Sequence, residues 1–251
     1  MPANRLLMTA TLLAALAAAS VPSIAATPSC RAASSAVAPS VIELYTSEGC
    51  SSCPPADRWL SRLKADPSAV ALAFHVDYWD RLGWKDRFAS PTYTQRQAQQ
   101  QASTGARFSY TPQVVIDGAD RPDWPRATTA TSRSRSNAPV QVELARDGRR
   151  VTASIAVASN APPRLAAYWA VTESGHRSAV QAGENQGATL QHDFVVREYL
   201  PVAAWTARAD APATLTFEPG TAPDPAHPRE VNLVVVDAQT GRPVQALKLG
   251  C

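Results

Sequence analysis

The stretch Val41 to Asp57, VIELYTSEGCSSCPPAD, constrains this chain more than any other. An apolar run of strand length gives way to a polar loop, two cysteines with two residues between them, and a pair of prolines. Pro54 and Pro55 are tolerable in a helix only in its first turn, where backbone N–H groups have no intrahelical acceptor. Trp59, Leu60 and Leu63 then recur at helical spacing. The segment predicts a strand, a tight loop, and a helix that starts at the second cysteine.

That placement bears on chemistry. A thiol attacks only as its thiolate, so a redox cysteine needs surroundings that lower its pKa from about 8.5. A helix N-terminus supplies about half a positive charge, and the sequence sets Cys50 beside one. Cys53 can then reach back to resolve a mixed disulfide. Ser51 and Ser52 add hydroxyl donors but no cation, which predicts a moderate depression of the thiol pKa. Two other uses of the pair stay open. It can be a static disulfide, or a copper or zinc ligand pair completed by His75, although no second CxxC or histidine pair follows in sequence.

A cycling cysteine pair needs a compartment. Arg5 gives a positive start, Leu6 to Ser20 is a fifteen-residue apolar run, and Ser23-Ile24-Ala25-Ala26 offers small residues for cleavage. Residues 1–26 are therefore expected to be a signal peptide, with a periplasmic or secreted destination. No later run of about eighteen apolar residues exists, so no membrane association is expected after cleavage. Removing Arg5 from the 24 basic residues leaves 23 against 21 acidic ones, a balance that gives nucleic acid no electrostatic claim. The four cysteines stand at 30, 50, 53 and 251 and allow three pairings. The local pairing leaves Cys30 and Cys251 for a structural bridge between the ends of the mature chain. In the loop-closure description such a bridge is worth on the order of 4 to 5 kcal/mol.

Along the chain, Thr27 to Ser40 reads as a leader without periodicity, and Val70 to Tyr78 as a strand buried on both faces. With the first strand and helix this makes a β-α-β unit. Ser90 and Pro91 open a second helix as N-cap and first residue, running through Gln101 to a stop at Gly105. Gln113 to Ile116 is a strand, Asp117-Gly118 a hairpin turn, and Pro125 to Ser134 a weak helix. Asn137-Ala138-Pro139 looks like a domain boundary. Beyond it Val140 to Leu144, Arg150 to Ala158, Leu165 to Thr172, Ala188 to Glu198, Thr214 to Glu218, Val231 to Asp237 and Val244 to Leu249 read as strands, a pattern that favours a β-sandwich.

Two candidates for acid–base help to Cys53 are Glu43 on the first strand and Asp77 near the end of its neighbour, since a buried carboxylate with a raised pKa is a natural proton acceptor; the alternative is that each sits at a wetted strand edge. Tyr78, Trp79 and Trp84 fall at the end of the sheet that carries the cysteines. In the second half, Glu184, Asn185, His192 and Arg197 are expected to form a structural polar network, because no nucleophile is near them in sequence.

Read together, the cysteine pair at a strand-helix junction and the Thr111-Pro112 that opens a strand about sixty residues later resemble the thioredoxin fold. VIELYTSEGCSSCPPAD, AFHVDYWDRLGWKDRFAS, YTPQVVIDG, Gly183 to Gly187, His192 and Val195-Val196-Arg197 together resemble the secreted bacterial family catalogued as domain of unknown function 1223. The resemblance implies a cis Pro112 facing the cysteines, with Thr111 and Pro112 as the substrate platform. Trp79 is added as a substrate-binding residue from its place at the end of the second strand, where the alternative is a packed satellite core. The resulting expectation is an α/β protein. Residues 37–137 would form a thioredoxin-like domain with a helical insertion, and residues 138–251 an all-β, sandwich-like domain. The expected function is an exported thiol-disulfide oxidoreductase with Cys50 attacking, Cys53 resolving and no organic cofactor. It would act on polypeptide or small-molecule thiols and disulfides and be recharged by a separate redox partner. The alternative is a non-enzymatic binding protein in which the pair is a permanent disulfide or a metal ligand set.

Overall fold

The computed structural model describes Met1 and residues 30–104, 107–127 and 137–251. The expected signal peptide lies outside these residues, as do Gly105 and all but the start of the weak helix expected over Pro125 to Ser134. The leader expected over Thr27 to Ser40 instead contributes a short edge strand, β1 (Arg31–Ala33).

β2 (Ser40–Thr46) and β3 (Ala69–His75) are buried at every position and pair in parallel, from Ser40 with Ala69 to Thr46 with His75. Such strands need cover on both faces, which is why they read as unbroken apolar runs. The crossover between them is α1 (Pro54–Ser61), continued by a 3₁₀ turn over Arg62–Ala65. α2 (Pro91–Thr104) begins where Ser90 Oγ accepts the Thr92 N–H at 3.3 Å. β4 (Gln113–Ile116) runs antiparallel to β2 and returns as β5 (Ala119–Asp120). Asp117 and Gly118 make that turn with φ of 52° and 78°, the left-handed pair that a two-residue hairpin with the right twist requires.

The described residues after 137 hold strands and no helix: β6 (Val140–Asp147), β7 (Arg150–Val157), β8 (Arg164–Glu173), β9 (His176–Ala179), β10 (Thr189–His192), β11 (Val195–Thr206), β12 (Ala213–Phe217), β13 (Arg229–Asp237) and β14 (Pro243–Leu249). The single strand expected over Ala188 to Glu198 is two. The chain turns at Phe194, whose φ is 56°, because β10 pairs with β9 in a separate ribbon while β11 joins the main sheet. Leu190 and Phe194 are both buried, so the apolar pattern runs through the break.

The main sheet has eight strands in the order β14-β13-β8-β11-β3-β2-β4-β5. It is continuous across Asn137-Ala138-Pro139, because Val195 of β11 pairs in parallel with Ala73 of β3. The first half and second half therefore share a sheet and a core. On one face, α1 packs on β2 and β3 through Ala56, Trp59 and Leu60 against Ile42, Leu44 and Ala71. At the other end of that face, the four-stranded sheet β1-β6-β7-β12 packs on Trp169, Val171, Leu233 and Val235. The opposite face carries Tyr45, Phe74, Tyr168 and Val234 under Tyr93 of α2. Two sheets thus pack face to face in the second half, and one of them belongs to both halves. Cys30 and Cys251 are disulfide-bonded across 221 residues and hold β1 beside the end of β14.

Candidate functional site

β2 ends at Thr46 and the chain runs through two tight turns to α1, with the Cys50 N–H on the Ser47 carbonyl and the Cys53 N–H on the Cys50 carbonyl, each at 3.2 Å. Cys50 and Cys53 form a disulfide, and both are 0% exposed. Gly49 is where the loop passes closest to its surroundings: a Cβ there would sit 3.1 Å from Trp79 Cβ. Cys53 is the N-cap of α1, and its carbonyl accepts the Ala56 and Asp57 N–H groups at 2.9 and 3.2 Å. Pro54 and Pro55 have no N–H, so the helix end presents few donors to the cysteines. Ser52 Oγ stands 3.8 Å from Cys50 Sγ.

The antiparallel register places Thr111-Pro112 beside this loop. Tyr45 pairs with Gln113, so Pro112 falls opposite Thr46, the last residue before the loop. The Thr111-Pro112 bond is cis. Trp79 links the two segments, because its Nε1 donates to Thr111 Oγ1 at 2.8 Å while its Cβ backs Gly49. The structure therefore brings Cys50, Cys53, Trp79, Thr111 and Pro112 together at the C-terminal ends of β2 and β3. Tyr78 packs on Trp79, and Trp84 Nε1 donates to Glu48 Oε2 at 2.7 Å.

Neither expected proton acceptor joins them. Side chains alternate along β2, so Ile42 and Leu44 face α1 whereas Glu43 shares the opposite face with Tyr45. There Glu43 meets Arg96 Nη2 at 2.7 Å and accepts from Tyr45 and Tyr168 hydroxyls, both at 2.6 Å. Burial alone would raise its pKa, but Arg96 and the two tyrosines hold the carboxyl below the ordinary range. Asp77 is turned towards α2 and accepts from Thr94 Oγ1 at 2.5 Å. His75 does not complete a metal set with the cysteines. Its Nδ1 lies 2.7 Å from Asp86 Oδ2, and among the described residues no group of three or more His, Cys, Asp or Glu is arranged to hold a metal ion.

With this geometry in hand, the chain matches over residues 41–236 the family described as protein of unknown function (DUF1223). It belongs to that family. Among solved structures, the crystal structure of protein AGR_C_4864 from Agrobacterium tumefaciens is 28% identical, with a TM-score of 0.62 over 84% of this chain and 93% of that one. HBP35 of Porphyromonas gingivalis, 15% identical, shares the fold with a TM-score of 0.63 over 86% of this chain and 76% of that one. A comparison with curated proteins gave no match.

Under the cysteine loop lies a set of buried ionisable side chains that sequence spacing does not assemble. Glu48 is 0% exposed, its backbone N–H donates to Asp86 Oδ2 at 2.9 Å, and His192 Nε2 is 3.4 Å from its Oε1. Burial pushes the Glu48 carboxyl up, and the contacts with His192 and Trp84 bring it below its usual value. Burial likewise opposes charge on His75, but Asp86 raises its pKa, and His75 in turn keeps Asp86 ionised. The four histidines of the chain collect around Phe88, with His75, His176 and His192 at 5.3, 4.8 and 5.7 Å from it and His227 stacked on His176 at 3.6 Å.

Asp57 is the carboxylate nearest in sequence after Cys53, one helical turn on and therefore on the same helix face. It is buried, with Thr46 Oγ1 donating to its Oδ2 at 3.2 Å. Burial raises its pKa, against the smaller opposing effects of His192 and His75. The four-residue spacing from Cys53 was the available sequence signal. The polar network expected of Glu184, Asn185, His192 and Arg197 is dispersed. Glu184 and Asn185 bind the cysteine loop, His192 lies under it, and Arg197 is 3.6 Å from Glu173 with its guanidinium over Phe88.

Proposed function

We propose that the protein is an exported thiol-disulfide oxidoreductase whose first half is a thioredoxin-like unit. The observation that carries this reading is the convergence of the Cys50–Cys53 pair, at the start of α1, with Thr111-cis-Pro112 through the single side chain of Trp79. The parallel β2-α1-β3 unit and the antiparallel β4 that follows the proline support the fold assignment.

In the reductive direction the Cys50 thiolate attacks one sulfur of a substrate disulfide, and the other substrate sulfur leaves as a thiolate and takes a proton. Cys53 gives its proton to Asp57 and attacks Cys50 Sγ, which closes the Cys50–Cys53 bond and releases the second substrate sulfur, protonated in its turn. Two electrons and two protons pass to the substrate. A dithiol donor drives the same steps in reverse and restores the protein thiols. Thr111 and Trp79 border the cysteine loop on the side where a polypeptide or small-molecule disulfide would dock.

Equilibration in glutathione buffers, read by thiol-specific mass tagging, tests the assignment. A reversible two-electron transition above about −300 mV is expected. A pair that resists reduction below that value is a structural bridge. It would favour the second reading, a binding protein with a permanent disulfide, for which the complete burial of both sulfurs speaks.

Asp57→Asn separates chemistry from stability. The raised pKa means that the fold favours the protonated carboxyl, so its ionised form burdens the native state increasingly as pH rises above the unfolded value. The variant should melt higher than wild type at pH 8, with a smaller difference at pH 5, and reduce insulin more slowly by about a hundredfold or more. Unchanged turnover would remove Asp57 from the mechanism.

A further inference from the structure

The loop between β9 and β10, residues 180–188, comes from the second half of the chain and lies against the cysteine loop. Glu184 Oε2 accepts the Ser51 N–H at 3.0 Å and the Ser51 hydroxyl at 2.8 Å. Asn185 Nδ2 donates to the carbonyls of Glu48 and Cys50, both at 2.9 Å. Gly183 turns this loop with φ of 75°, a backbone conformation that side-chain-bearing residues rarely adopt, and lies in ordinary contact with Trp84. No ion pair among the described residues involves Glu184, so its charge is directed at the cysteine loop.

We propose that Glu184 sets the redox poise of the Cys50–Cys53 pair, holding it towards the disulfide by taking two donors of the cysteine loop and placing a negative charge at Ser51, the residue next to the cysteine that becomes a thiolate. The inference rests on the oxidoreductase reading and deepens it. The disulfide carries no charge, whereas the dithiol form ionises in part at Cys50, so a neighbouring carboxylate destabilises the reduced form alone. The scarcity of other donors strengthens the effect. Pro54 and Pro55 supply none, the Cys53 N–H is on the Cys50 carbonyl, and the first helical N–H groups are on the Cys53 carbonyl. Ser51 and Ser52 hold most of what remains, and Glu184 takes Ser51's share. The Ser51 hydrogen bonds lower the Glu184 pKa, which keeps the carboxylate ionised while the thiol titrates.

The balanced test reaction is protein disulfide plus two glutathione thiols giving protein dithiol plus glutathione disulfide. Glu184→Gln keeps an acceptor for Ser51 and removes the charge. Its equilibrium constant should move about threefold to tenfold towards the dithiol, tenfold being about 30 mV for a two-electron couple. The thiolate absorbance of Cys50 should titrate at lower pH than in wild type, and the difference should shrink at high salt because Glu184 is exposed. Glu184→Ala, which also frees both Ser51 donors, should move at least as far. A purely structural role would change the melting temperature and leave the thiolate midpoint in place. Wild-type and Glu184→Gln proteins that cycle reversibly with the same potential and midpoint overturn this inference and spare the oxidoreductase reading. A wild-type pair that cannot be cycled overturns both.

Discussion

Under the proposed oxidoreductase function, Cys50→Ser is expected to leave no measurable dithiol-dependent insulin reduction, a loss on the order of a thousandfold or more, as for enzymes deprived of their nucleophile. Cys53→Ser is expected to stop one step later, trapped as a mixed disulfide with the substrate. The assignment of roles follows from position. Cys50 adjoins Gly49, which is backed by Trp79 and through it by Thr111, the side proposed for substrate docking. Cys53 is the N-cap of α1 and sits one helical turn from Asp57. A disulfide spanning three positions restricts the unfolded chain very little, so neither substitution should unfold the protein. Circular dichroism controls for the fold, and mass spectrometry of the trapped adduct reads the second step. Wild-type turnover by Cys50→Ser would sink the mechanism.

The cysteine stretch was legible because its signals are local. Prolines fix a first turn, the helical spacing of Trp59, Leu60 and Leu63 fixes a face, and unbroken apolar runs mark strands covered on both sides. Glu43 was misplaced for a physical reason. β2 is buried on both faces, so alternation says that Glu43 and Leu44 point opposite ways without saying which of them meets α1. Glu184 lies 133 residues from Ser51, and no spacing rule reports such a contact.

The shared sheet had a sign that could have been read. Leu165 to Thr172 and Val231 to Asp237 are nearly unbroken apolar runs, unlike the alternation of β6 and β7, whose outer face is exposed. Unbroken runs in the second half called for cover on both faces, and a free-standing two-sheet sandwich covers each sheet on one. The second cover is the layer that contains Tyr45, Phe74 and Tyr93 from the first half.

That layer is where the two halves are joined most expensively. Arg96 of α2 reaches Glu43 of β2 at 2.7 Å, and its guanidinium lies 4.9 Å from the Tyr168 ring and 6.0 Å from the Tyr199 ring, which come from β8 and β11. Arg96→Met should therefore lose about 3–5 kcal/mol in urea denaturation at pH 7, because it leaves the Glu43 carboxylate buried without its cation. Adding Glu43→Gln should recover much of that loss, since the neutral amide can still meet the tyrosine hydroxyls while the uncompensated charge is gone. The pH dependence has a definite sign. The folded Glu43 pKa is depressed, so its contribution is present above the unfolded value of about 4.3 and disappears as pH falls through the folded value. The double variant should lack that portion of the acid destabilisation. Because the sheet is continuous, both halves should be lost in one transition for every variant. A double variant no more stable than Arg96→Met would show that the cost lies in packing against the tyrosine rings and not in the stranded charge.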